Sequence, residues 1–72
     1  LWEKIWDDLN AENAGIDIYK EAVELIEVTD KKVIMQIPTK TTLEIFTNKY
    51  GRVLWDRVGE VFAREVEITI KN

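Results

Sequence analysis

Apolar residues recur in this chain with two different periods, and the switches between them mark its elements. Trp2, Ile5, Trp6 and Leu9 fall at the i, i+3, i+4, i+7 spacing of one helix face, with Glu3, Lys4, Asp7 and Asp8 opposite, which predicts a short amphipathic first helix. Asn10 to Gly15 is polar and carries helix-ending residues, after which Ile16, Tyr19 and Val23 could line one face of a second, shorter helix. From Val23 to Val28 the β-branched and apolar residues become dense. Thr29-Asp30-Lys31 reads as a turn, and Val33, Met35 and Ile37 then alternate with Ile34 and Gln36, so a β-hairpin is expected.

Pro38 cannot donate to a ladder and closes the second strand, and Thr39, Thr41 or Thr42 can cap the helix that follows. That helix is read as continuous from Leu43 to Phe62. At about 100° per residue, Leu43, Phe46, Tyr50, Leu54, Val58 and Val61 share a face about 120° wide, with Glu44, Arg52, Asp56 and Glu60 away from it. Gly51 and Gly59 would each weaken such a helix by about 1 kcal/mol relative to alanine, so packing along the seam must sustain it. The segment Glu65 to Lys71 alternates Val66, Ile68 and Ile70 with Glu65, Glu67 and Thr69, as a strand with one wet face does. The expected fold is α+β in the order α-α-β-β-α-β: two short N-terminal helices, a β-hairpin, a long amphipathic helix and a final strand, the three-stranded sheet packed on helices in a KH-like arrangement.

With 72 residues the chain makes one domain, since so short a chain cannot divide its apolar residues between two cores. At 46% hydrophobic and 33% charged residues it belongs with folded domains and not with disordered tails. Cysteine and histidine are both absent, which excludes disulfides, the usual zinc sites and histidine acid/base catalysis. The formal net charge of -4 opposes a phosphate backbone, so nucleic acid is not favoured as the main ligand. No apolar run reaches the roughly 18 to 20 residues that cross a bilayer, and a cytoplasmic location is expected. Leu1 in place of an initiating Met suggests residues cut from a longer chain or trimmed of a disordered start, and residues 1–72 are expected to be the N-terminal part of a longer chain.

Candidate chemistry is sparse. Glu24 with Glu27, and Glu65 with Glu67, sit on strand positions where charge keeps one sheet face in water, and the aspartates lack the spacing of a calcium loop. Gly15, Gly51 and Gly59 are too far apart to cradle phosphate. No catalytic residue, metal site or cofactor is called for, and the residues that invite a role are apolar. Trp2 and Trp6 share one side of the first helix, where they either plug the core or offer an interaction surface, and Trp2, at the terminus, is the harder to bury. Trp55 lies about 120° from Leu43, off the seam and between Gly51 and Gly59. It is either covered by a flanking element such as the first helix or exposed as an aromatic anchor for a partner. Ile45, about 200° from Leu43, is hard to bury against the sheet that holds the seam, and Thr41 stands beside it.

The order of elements resembles the N-terminal domain, domain I, of the bacterial replication initiator DnaA. Trp2 is similar to the tryptophan of that family's leading Leu-Trp pair, and Ile16 and Tyr19 fall where the family has Phe-x-x-Trp. Val33 to Pro38 resembles its strand ending in Pro-Asn, and Leu43 to Tyr50 resembles its Trp-Leu-x-x-x-Tyr stretch, with Phe46 at the leucine and Tyr50 at the tyrosine. The resemblance implies a non-catalytic hub that self-associates through its first helix, as a weak homodimer, and recruits the replicative helicase and initiation regulators. Trp2 and Trp6 would then serve self-association. Gly15 and Thr41 stand where some members carry a helicase-contacting acidic residue and a phenylalanine, so Asp17, Lys20, Glu21 and Ile45, with Thr41 and Trp55, become the partner-binding candidates. Alternatives are a weak single-stranded nucleic-acid module of KH type, drawing on Lys31, Lys32, Lys40, Lys49, Arg52 and Arg57, or a docking domain of a replicase or clamp-loader subunit.

Overall fold

The computed structural model describes residues 1–71 and has the expected α+β order, with one added break. Helix α1 spans Trp2–Glu12, a single 3₁₀ turn spans Ile16–Tyr19, and strands β1 (Glu24–Val28) and β2 (Lys32–Ile37) follow. Helices α2 (Lys40–Tyr50) and α3 (Val53–Phe62) lead to β3 (Glu65–Ile70). The sheet order is β1-β2-β3, with β1 antiparallel and β3 parallel to the central β2. A parallel pair needs a crossover, and α2 with α3 supply it between β2 and β3.

Alternation in β2 builds the core. Val33, Met35 and Ile37 are each fully buried on the helix-covered face, where they meet Ile5, Trp6 and Leu9 of α1 and Phe46, Leu54, Trp55 and Val58 of α2 and α3. The hairpin turn is closed by Thr29, whose hydroxyl accepts from the Lys32 N–H at 3.0 Å and whose N–H donates to the Lys32 carbonyl at 2.8 Å. In β1 the register slips between Leu25 and Glu27, so Ile26 forms a bulge and stands 47% exposed. Thr39 caps α2, its Oγ1 accepting from the Thr42 N–H at 3.1 Å.

The single long helix expected over Leu43 to Phe62 is instead two helices, because the chain turns at Gly51. Its φ of 68° and ψ of -138° lie in a region essentially confined to glycine. A wheel counted through that break loses its phase. Recounted from Leu54, the residues Trp55, Val58 and Phe62 fall within about 100° to one side of it and face the core, whereas Val61, about 20° to its other side, is 40% exposed. Ala63, at φ 54°, ends α3 and turns the chain into β3.

The two glycines of this region therefore respond oppositely to alanine. Gly51→Ala is expected to lower stability by about 1 to 2 kcal/mol through backbone strain, since a Cβ there meets no atom within 4 Å. Gly59→Ala is expected to raise it by up to about 1 kcal/mol, its Cβ settling 3.5 Å from the Arg64 carbonyl and 3.6 Å from Val66. Urea denaturation of both variants reads the signs, and a gain at Gly51 would mean that α2 and α3 run on as one helix.

Candidate docking surface

The turn after α1 is built by asparagines. The Asn13 N–H reaches back to the Leu9 carbonyl at 2.7 Å, and Asn10 Oδ1 accepts from the Gly15 N–H at 3.1 Å. Gly15 itself adopts φ 93°, which reverses the chain into the 3₁₀ turn. There Ile16 is fully buried and Tyr19 packs edge-on against Phe46 of α2 at 5.1 Å and against Tyr50 at 6.0 Å. Positions three apart eclipse in a 3₁₀ turn, so burying Ile16 and Tyr19 drives Asp17 and Ile18 outward.

The result is an exposed apolar residue next in sequence to each ring of the Tyr19–Phe46 contact. Ile18 is 69% exposed on the turn and Ile45 is 52% exposed on α2. Thr41, one helical turn before Ile45, is exposed on the same face of α2, and Asp17 and Glu21 are exposed on the segment that carries Ile18. Lys20 is half-buried, its Nζ 3.3 Å from Glu3 Oε1, and so ties the turn to α1. Ile18 was passed over in favour of the face formed by Ile16, Tyr19 and Val23, although at about 100° per residue it lies about 200° from Ile16 and so on the opposite side, where the structure leaves it exposed.

The tryptophans separate. Trp2 is half-buried and meets Trp6 edge-on, with ring centroids 5.9 Å apart and planes at 81°, while Leu1 beside it is 70% exposed. Trp6 is only 1% exposed and lies inside the core among Ile5 and Leu9, so its ring offers no surface for self-association. Trp55 is also buried, at 9% exposure, with its ring 5.8 Å from Phe46. Of the two alternatives for Trp55 the structure has the covered one, and the exposed anchor is corrected: α3 begins a new phase after Gly51, and the indole lies in the core cluster that Ile5, Trp6 and Leu9 of α1 share.

On its other flank α3 is tied to α1 by charge. The Arg57 guanidinium donates to Glu12 Oε2 at 2.7 Å and stands 3.9 Å from Asp8 Oδ2. The hydrogen bond to Glu12 and its negative charge hold the Arg57 pKa above its ordinary value. Among the described residues no group of three or more acidic, histidine or cysteine side chains is arranged to hold a metal ion, and no helix is long and apolar enough to cross a membrane. Comparison with protein-family models, with curated proteins and with solved structures finds no match for this chain.

Burial separates the two tryptophans of α1 in stability as well. Trp6→Ala is expected to cost about 3 to 5 kcal/mol, enough to unfold a domain of this size, because it empties the centre of the core. Trp2→Ala, which loses one edge-on contact and part of its burial, is expected to cost about 1 to 2 kcal/mol. Guanidinium unfolding of the two variants measures the difference, and equal losses would contradict this assignment.

Proposed function

We propose that this chain is a non-catalytic protein-interaction domain of bacterial chromosome replication initiation, acting in the cytoplasm. In this reading the exposed start of α1, with Leu1 and the open edge of Trp2, mediates weak self-association. The 3₁₀ turn and the start of α2 receive the replicative helicase or initiation regulators, with Asp17, Lys20, Glu21, Thr41 and Ile45 as contacts and Ile18 added to them. The observation that carries it is the pair Ile18 and Ile45, large apolar side chains left in water next in sequence to the two rings of the Tyr19–Phe46 contact, with exposed polar residues Asp17, Glu21 and Thr41 on the same two segments. An apolar centre with a polar rim is the anatomy of a protein-docking patch.

Charge placement supports protein over nucleic acid as the partner. Of the six basic residues that could form a phosphate track, Lys32 pairs with Glu67 at 3.0 Å, Arg57 is held by Glu12 and Asp8, and the Lys49 Nζ lies over the Tyr50 ring at 5.5 Å. Those engaged cations have less to offer a phosphate backbone.

The reading makes a paired demand. Ile18→Ser and Ile45→Ala are both expected to leave the melting temperature nearly unchanged, since surface substitutions move stability by about 0.5 kcal/mol. Each should nevertheless weaken binding to a purified bacterial replicative helicase about tenfold, as loss of an apolar anchor does. Trp2→Ala should shift sedimentation equilibrium of the chain alone toward monomer. Undiminished helicase binding in both isoleucine variants would sink the docking assignment, and unfolding of either would show that its side chain is core.

A further inference from the structure

The two borders of the sheet differ. Strand β1 protects its outer border with a bulge at Ile26 and ends after five residues. Strand β3 pairs only with β2 in the sheet, runs six residues in unbroken register from Glu65 to Ile70, and carries neither bulge nor proline. The Lys71 N–H donates to the Ile37 carbonyl of β2 at 2.9 Å. Because alternate residues of a strand present their amides to the same side, Thr69, Glu67 and Glu65 also face β2, which leaves the amides of Val66, Ile68 and Ile70 on the open border.

Beside this strand lies an open groove of about 470 Å³ between α3 and the start of β3. Its α3 wall is Arg52, Trp55, Asp56, Gly59 and Glu60, and on the sheet side it is lined by Arg64 and Val66, with no residue of β2. Gly59 leaves the space that a side chain would fill, and the remaining exposed edge of Trp55 looks into it. A strand border with unpaired amides, next to a groove that can take side chains from alternate positions, is the geometry of recognition by strand addition.

The geometry points to β3 as the docking site of an extended basic segment from another protein, added as a fourth strand. Residues directly opposite one another on neighbouring strands share a face, which sets the pattern of the occupant. The position opposite Val66 points toward the groove, and that opposite Ile68 shares its face beside the helices; both take apolar side chains. Positions opposite Glu65 and Glu67 point to the outer face, where carboxylates favour lysine or arginine. Lys32 already engages Glu67, so Glu65 is the carboxylate with most to gain. This site is separate from the patch around Ile18 and Ile45 and does not depend on it.

The test is a titration of the isotope-labelled chain, followed by amide chemical shifts, with a synthetic peptide as long as β3 that alternates lysine and valine. Binding should move the amides of Val66, Ile68 and Ile70 most, and a glutamate–valine peptide of the same length should not bind. Glu65→Lys should weaken the lysine–valine peptide about tenfold. Ile70→Pro, which removes an outward N–H at the strand end, should weaken it as well, with circular dichroism confirming that both variants remain folded. Absence of binding at millimolar peptide, equal binding of the glutamate–valine peptide, or shifts centred on Ile18 and Ile45 would each overturn the proposal. So would concentration-dependent shifts at Val66, Ile68 and Ile70 without peptide, which would make a second copy of the chain the occupant.

Discussion

Phe46 is the contact on which the arrangement depends. Its ring is fully buried and meets Tyr19 at 5.1 Å, Tyr50 at 5.5 Å and Trp55 at 5.8 Å, so one side chain of α2 joins the 3₁₀ turn, the end of α2 and the start of α3. Those pieces share few backbone hydrogen bonds with one another, and aromatic packing is what sets their relative positions. Each inward ring also decides what its neighbours do: Tyr19 inward puts Ile18 outward, and Phe46 inward puts Ile45 outward. The exposed apolar pair is a geometric consequence of the core.

Much of this was legible in the residues. The face formed by Trp2, Ile5, Trp6 and Leu9 has a clean helical period, and the alternation of Val33, Met35 and Ile37 names the central strand, because both patterns are local. The break at Gly51 was not legible. A glycine inside an apolar helical pattern usually costs stability without ending the helix, and the apolar spacing on its two sides happens to continue across it. That one misjudged joint is what left Trp55 between two readings, since its place off the seam depended on phase carried over from Leu43. Strand order and the parallel pairing of β3 were likewise beyond sequence, since they depend on where α2 and α3 deliver the chain.

Charge is deployed at the seams and leaves the core alone. No polar or charged side chain is fully buried among the described residues, and the ion pairs lie at the surface, where they join elements distant in sequence: Arg57 to Glu12, Lys20 to Glu3, Lys32 to Glu67. Exposed pairs of this kind contribute little each and weaken with salt, so they set orientation between elements already held by apolar contact.

The bulge at Ile26 has a further effect on the molecule as a whole. Polymerisation by stacking sheet upon sheet end to end demands that every unit be receptive on both of its flanks. With one flank deformed, a neighbour joined through β3 meets a blunted border on the far side, and edge-to-edge growth is disfavoured.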